Sequence, residues 1–322
     1  MKILAILLLG VAAAAQAQMD YPSKPIRMVV PFPPGGTPNT LARMVGQRFT
    51  DSWGQPVLVD NRPGANTVIG TDAVAKAAPD GYTLLSMSSA HITTPLLVPT
   101  PYDAIRDFSA VATLAASEFV MVTYAGVPAA SLREFIALAA SKPGQLNYAS
   151  SGNGGAPHLA GELMNLTAGI KLQHIPYKGM GPAVTDLLGG QVQIAFAPPS
   201  NFIAHIKTGK LKALAISGDS RSQALPQVPM RQVPTFAEAG MPGFEARAWY
   251  GILGPAGMPR EIVGKLSAEV AAMLAQPDMR EKLASQGADP LVSTPERFAA
   301  MMRADSARLT KVVKAANIKL EQ

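Results

Sequence analysis

Cysteine is absent from all 322 residues. That excludes disulfides, thiol nucleophiles, cysteine-linked lipid and cysteine-based zinc sites, and it is compatible with an oxidising compartment. Charge and aromatics are also sparse, at 16% and 6% of residues. The net charge of +6 comes from dispersed basic residues with no dense Lys/Arg block and few aromatics beside them, which argues against nucleic-acid binding. A mild positive balance suits anionic ligands. The sequence has no G-x-S-x-G elbow, no H-E-x-x-H and no G-x-x-x-x-G-K-[ST] loop, and Gly179-Met180-Gly181 lacks the third glycine of a dinucleotide fingerprint. The histidines His91, His158, His174 and His205 lack metal-cluster spacing, so no metal and no cofactor is expected. Apolar runs long enough for a membrane span are missing too. The shorter run from Ile3 to Ala14 follows Met1-Lys2 and precedes Ala15-Gln16-Ala17, the pattern of an export signal cleaved after Ala17.

What remains is an alternation of short apolar runs and helical patterns. Ile26 to Val30, Pro56 to Asp60 and Tyr82 to Ser86 read as strands. Leu41, Val45 and Phe49 continue a helix from Thr37, and Val68 to Ala77 is a second helix. Strand–helix–strand–helix–strand is the signature of a parallel sheet. Residues 95–118 are less regular, and Glu118 to Tyr124 is a strand rich in β-formers. A second cycle then runs from a helix at Leu132 to Ala140 through strands at Leu146 to Ala149, Leu172 to Ile175, Val192 to Phe196 and Leu211 to Ile216. Residues 218–245 are rich in turns and read as a crossing back to the first domain. Ala246 to Leu253 reads as a strand carrying Trp249 and Tyr250. Two helices close the chain: Ile262, Leu266, Val270 and Met273 mark one, and Phe298, Met302, Leu309 and Val312 mark the other. Asp305 interrupts the second stripe, and Thr294-Pro295-Glu296 starts it.

One device occurs twice, a strand followed by a Gly-rich loop and a helix. The first is Val29-Val30-Pro31-Phe32-Pro33-Pro34-Gly35-Gly36-Thr37-Pro38-Asn39, in which Thr37 can cap the helix and Pro38 fits its first position. The second is Ser150-Ser151-Gly152-Asn153-Gly154-Gly155, followed by a helix that carries His158. A Gly-rich turn at a helix N-terminus presents backbone N–H groups to an anion. Each loop is otherwise an ordinary βα turn, and both readings stand at this point. Ser88-Ser89-Ala90-His91 lies just past a strand's carboxyl end, the edge at which open α/β sheets bind ligands. As nucleophiles Ser88, Ser89, Ser150 and Ser151 would need a positioned base, and no signature supplies one. As small hydrogen-bond donors beside glycines they suit carboxylate or phosphate capture, or they are plain turn serines. His91 and His158 either line a cleft or cap local structure.

Several blocks together resemble a known family. They include Pro25-x-Arg27-x-Val29-Val30-Pro31-Phe32-Pro33-Pro34-Gly35-Gly36, Val59-Asp60-Asn61-Arg62-Pro63-Gly64-Ala65 and Ala78-Pro79-Asp80-Gly81-Tyr82-Thr83-Leu84-Leu85. Further blocks are Tyr148-Ala149-Ser150-Ser151-Gly152-Asn153-Gly154, His158-Leu159-Ala160-Gly161-Glu162 and Pro176-Tyr177-Lys178-Gly179-x-Gly181-Pro182-Ala183. Their order and spacing resemble the periplasmic solute receptors of tripartite tricarboxylate transporters, the Bug or TctC-like proteins.

The resemblance implies an α/β fold of the two-domain flytrap type, each domain a mostly parallel sheet flanked by helices. Domain 1 would span residues 18–122 plus 246–322, and domain 2 residues 123–245. A small organic carboxylate, di- or tricarboxylate, would sit between them, held largely by backbone groups and ordered water at the two loops. The expected ligand-binding residues are Phe32, Pro34, Gly35, Gly36, Thr37 and Asn39; Ser88, Ser89, Ala90 and His91; Ser150, Ser151, Gly152, Asn153 and Gly154; and His158 and Lys178. No catalytic residue is expected.

The expected role is that of a monomeric periplasmic receptor delivering its cargo to membrane permease subunits. The alternatives are a ligand-sensing partner of a receptor kinase and a hydrolase using Ser151 and His158. Two positions depart from the family's pattern. Asn39 stands where an acidic residue is usual, which removes a charge that would oppose a nearby anion. Asn66-Thr67 stands where Gly-Gly is common.

Overall fold

The computed structural model describes residues 21–35, 37–218, 233–285 and 288–318. The expected export signal and Gly36 lie outside the described residues. The chain begins with strand β1 (Ile26–Val30), helix α1 (Thr37–Trp53), β2 (Val57–Asn61), α2 (Val68–Ala75), β3 (Thr83–Ser88), α3 (Ala90–Leu97) and β4 (Phe108–Glu118). It continues with β5 (Val120–Tyr124), α4 (Leu132–Ser141), β6 (Asn147–Ser150), α5 (Ala156–Ala168), β7 (Gln173–Pro176), α6 (Met180–Leu188), β8 (Ile194–Ala197), α7 (Ile203–Lys207) and β9 (Leu211–Ile216). Then come β10 (Arg247–Pro255), α8 (Arg260–Leu274), α9 (Pro277–Ser285), β11 (Asp289–Pro290) and α10 (Pro295–Ala315).

Local chemistry sets most of these boundaries. Leu41, Val45 and Phe49 recur at helical spacing in α1 and are fully buried. The chain leaves α1 through Gly54 at φ 69°, a left-handed position that glycine occupies without steric cost. The Ser131 side chain caps α4 by accepting from Glu134 N–H, and Thr294 does the same for α10 from Arg297 N–H. Pro295 takes the first turn of α10, where its missing N–H has no intrahelical partner to lose.

Two sheets result. One has strand order β11-β4-β10-β3-β1-β2 and the other β7-β6-β8-β5-β9. We call each sheet with its helices a lobe. The expected parallel pairing holds for β1 with β2 and β3, where Met28 faces Val59 on one side and Leu84 on the other. It also holds for β6 with β7 and β8. Both sheets are nevertheless mixed. The first lobe's β10 runs antiparallel to β3 and β4, and the second lobe's β5 runs antiparallel to β8 and β9. These reversed strands stand where the chain crosses: β4 ends at Glu118, β5 starts at Val120, and β10 returns beside β4 with Arg247 opposite Glu118.

Each sheet is covered on both faces by apolar clusters. Two helices in contact with each other join the lobes. Leu159 of α5 belongs to the same apolar cluster as Trp249, Phe298 and Leu309, while Val312 of α10 belongs to the second lobe's cluster with Phe135, Tyr148 and Met164. The crossing chain and this helix pair hold the loop edges of the two sheets opposite each other.

Candidate ligand cleft

The cleft between those edges has a volume of about 570 Å³. The first lobe lines it with Phe32 to Pro34, Thr37, Pro38, Asn66, Thr67, Ser88 to Ala90, Thr93, Thr94 and Leu97. The second lobe supplies Asn153 to Ala156, and β10 adds Ala248 and Tyr250. No charged side chain lines it among the described residues. Helices α1, α3 and α5 all start at its wall, and none carries an acidic residue in its first turn. Neither Ser89 nor Gly155 caps its helix through a side chain. The positive ends of three helix dipoles therefore meet at one neutral cavity, although the first N–H of α3, on Ala90, already donates to Ser88 Oγ at 3.3 Å.

The first loop is fixed from beneath. Asn61 Nδ2 donates to Phe32 O at 2.9 Å, and Asn39 Nδ2 donates to Asn61 Oδ1 at 2.9 Å. Asn39 Oδ1 accepts from Arg43 Nε at 3.3 Å and from Gly35 N–H at 3.5 Å. Asn39 is only 4% exposed and does not line the cleft. It works as a bracket that holds the loop to β2. Ser86 Oγ donates to Pro38 O at 3.1 Å, pinning the start of α1 to β3. Tyr250 hydrogen-bonds the side chains of Thr37 and Ser117, and burial raises its phenol pKa.

The second loop rests on a buried polar stack. Ser150 Oγ donates to Gly152 O at 3.1 Å, accepts from Gly152 N–H at 3.2 Å and lies 2.6 Å from His174 Nε2. The Gly154 N–H donates to His158 Nδ1 at 2.9 Å, which makes His158 the Nε2-protonated tautomer. The rings of His158 and His174 stack at 3.7 Å. Burial holds both near a pKa of about 4, and for His174 the neighbouring His158 adds to it. Tyr148 Oη donates to Glu162 Oε1 at 2.5 Å, and burial, then Glu162, raises its pKa. Gly152 at φ 137° and Gly154 at φ 75° are conformations that a side chain would strain.

The expected residues thus separate into two groups. Phe32, Pro34, Thr37, Ser88, Ser89, Ala90, Asn153 and Gly154 line the cleft, although the Gly154 N–H is spent on His158. Ser151 and Gly152 belong to the second loop without lining the cavity, Gly35 is exposed on the first, and Lys178 is exposed on the turn beside the second loop without lining the cavity. Ser150 and His158 sit beneath the second loop. His91 is in the core: it is fully buried, its Nε2 is 2.8 Å from Ala104 O, and its ring meets Phe108 edge-on at 4.6 Å. Burial lowers its pKa to about 4.

Sequence reasoning left out Asn66, Thr67, Thr93, Thr94, Leu97, Ala248 and Tyr250 from the site. For two of them a signal was present, since Asn66-Thr67 breaks the Gly-Gly pattern of the resembled family. Tyr250 arrives from a strand remote in sequence, and no local pattern marks it.

Two mixed α/β lobes facing each other across a neutral cleft rimmed by helix N-termini define a two-lobed solute-binding protein. The sequence pattern of the tripartite tricarboxylate transporter family receptor matches residues 41–318, and the chain belongs to that family. Protein BugT of Bordetella pertussis is 40% identical over 97% of this chain and 95% of its own length. The structure of R. palustris Rpa4515 with adipate is 32% identical, covers 93% of this chain and 100% of that one, and has a TM-score of 0.72. That of MatC from Rhodopseudomonas palustris with bound malate is 32% identical, covers 91% and 100%, and has a TM-score of 0.70.

Proposed function

We propose that the chain captures an organic carboxylate in the periplasm, closes on it, and delivers it to the membrane permease of a tripartite tricarboxylate transporter. The observation that carries this reading is the convergence of α1, α3 and α5 on a cleft without charged side chains. An anion entering it meets fixed N–H dipoles and hydroxyls, and no carboxylate repels it. The cleft makes and breaks no bond in this reading; a ligand shifts the lobes by binding one arrangement better than the other. Adipate and malate in the two structural neighbours agree with a carboxylate cargo.

A hydrolytic use of the cleft gains no support from the geometry. His158 Nδ1 is engaged by Gly154 N–H, and the serine that does meet a histidine, Ser150, has no exposed surface.

A thermal-shift panel of aliphatic dicarboxylates, citrate, hydroxy acids, aromatic acids, amino acids and neutral sugars tests the proposal. A carboxylate at about a hundred times its Kd adds about 2.7 kcal/mol and raises Tm on the order of 5 °C. Shifts confined to the sugars would overturn the reading.

A further inference from the structure

A lysine or arginine on a surface helix is stabilised by a carboxylate three or four residues away. Two helices of this chain follow that rule: Lys76 meets Asp72 in α2 and Lys282 meets Asp278 in α9, both at 2.7 Å. Helix α10 does not. Arg297, Arg303, Lys311 and Lys314 are exposed on it, and no acidic residue stands three or four positions from any of them. Lys311 instead has Arg308 three residues before it and Lys314 three residues after it, an arrangement that costs helix stability. Among the described residues none of the four enters an ion pair.

The carboxylates nearby are engaged elsewhere. Asp305 is buried against Trp249 and Arg308, and Glu296 sits in the first turn, where the helix dipole favours it. Exposed Glu245 offers Arg308 its backbone oxygen. At roughly 100° per residue the four cations fall within about 120° of the helix circumference and spread over about 26 Å of its length. Ala300, Ala304 and Ala307 lie exposed among them on the same face. Phe298, Met302, Leu309 and Val312 take the opposite side and are buried. Among the described residues no large apolar side chain is exposed along α10. The face therefore offers charge without an apolar centre. A specific protein interface needs such a centre and is depleted in lysine, whereas a layer of lipid headgroups needs only charge.

We propose that this face of α10 docks the receptor reversibly on an anionic phospholipid surface. The inference goes beyond cargo capture, since none of the four cations lines the cleft. The small alanines let headgroup phosphates come close, and nothing on the face inserts into the acyl layer, so attachment is electrostatic and released by salt. Because α10 shares apolar clusters with both lobes, it carries the whole molecule. A receptor held this way searches for a membrane permease in two dimensions.

Co-sedimentation of the purified protein with vesicles tests it, comparing phosphatidylethanolamine–phosphatidylglycerol with phosphatidylcholine alone. The wild type is expected to bind the anionic vesicles at about 50 mM salt and to leave them at about 300 mM. Arg303→Gln or Lys311→Gln should each lower the partition about fivefold, and replacing all four cations with Gln should abolish it. These exposed substitutions should leave Tm and carboxylate affinity in place. A charge-matched control replaces Lys142, Lys171, Lys207 and Lys210 of the second lobe, which are exposed on separate turns, and should keep most of the binding. No partition of the wild type, equal partition onto phosphatidylcholine, or an α10 variant that binds as the wild type does would overturn the proposal. So would a control that loses as much as the α10 variant, because net charge alone would then explain the binding. Binding to a polyglutamate peptide but not to vesicles would assign the face to an acidic protein and overturn the lipid reading.

Discussion

A carboxylate in the middle of an apolar helix face is costly unless it is hydrogen-bonded. Asp305 of α10 is 5% exposed; its Oδ2 accepts from Trp249 Nε1 at 3.0 Å, and its Oδ1 accepts from Arg308 Nη2 at 2.7 Å. Arg308 also donates to Glu245 O, so one acid ties α10 to β10 and to the returning chain. Asp305→Leu matches the helix pattern but leaves the Trp249 N–H buried without an acceptor. We expect it to lower stability by about 2–3 kcal/mol in urea unfolding, with Asp305→Asn costing less because an acceptor remains. A Leu variant as stable as the wild type would show that the bond contributes nothing. His91 makes a second residue-scale prediction. Its ordinary pKa of 6.5 falls to about 4 in the folded chain because burial disfavours the cation. The unfolded chain therefore binds more protons below 6.5, so His91's contribution is fully present above that pH and is lost as pH falls toward 4. The loss amounts to about 3 kcal/mol for this one group. Buried His158 and half-buried His174 act in the same direction. Urea midpoints at pH 7, 5.5 and 4.5 should decline for the wild type and decline less for His91→Phe. Equal slopes would remove His91 from the account.

At the scale of elements, the second loop depends on how closely α5 approaches β6. A Cβ at Gly161 would stand 2.2 Å from the Tyr148 ring. That ring has nowhere to go, since its hydroxyl is bonded to Glu162 and its face packs on His174 at 4.9 Å. Gly161→Ala must push the helix off the sheet, at a cost of about 1–3 kcal/mol. Because α5 begins at the cleft, the same shift should weaken carboxylate binding, whereas Gly264→Ala in the interior of α8, where a Cβ meets nothing within 4 Å, should leave binding unchanged and raise stability by about 0.5–1 kcal/mol. Calorimetry on both variants decides the point.

The same closeness marks what was readable in advance. Strands and helices whose apolar residues keep their own period, such as β1, α1, α4 and α10, were visible in the sequence, as was the Thr294 start of α10; the Ser131 cap of α4 was not singled out. β4 was not, because Phe108–Glu118 is mostly alanine and serine and is made a strand by pairing with β10. α3 hid behind Pro95 in its own interior. In the site, loops next to strand ends were legible. The fate of His91, Ser150 and His158 was not, because a histidine's or serine's burial depends on neighbours from distant segments.

Across the whole molecule, the spacing of the two loops depends on the crossing between lobes. There Ser217 is fully buried. Its Oγ accepts from Phe119 N–H at 2.8 Å and shares its proton between Glu118 Oε2 at 2.8 Å and Ala246 O. Its own N–H donates to Phe119 O at 2.9 Å. One side chain at the end of β9 thus binds both the outgoing chain at Phe119 and the returning chain at Ala246, close to where Arg247 faces Glu118 at 3.9 Å. Ser217 does not line the cleft. Any effect of Ser217→Ala on binding must therefore travel through the relative placement of the lobes. The substitution leaves Phe119 N–H only its longer contact with Ala246 O at 3.1 Å and removes the donor shared by two acceptors. We expect a stability loss of about 1–3 kcal/mol and several-fold weaker carboxylate binding, because a looser crossing populates lobe arrangements in which the two loops cannot grip one ligand together. Small-angle scattering of the free variant should show a broader range of sizes that narrows on adding ligand. An unchanged affinity with a lowered Tm would mean that Ser217 stabilises the fold and leaves the jaws to be set by the α5–α10 contact alone.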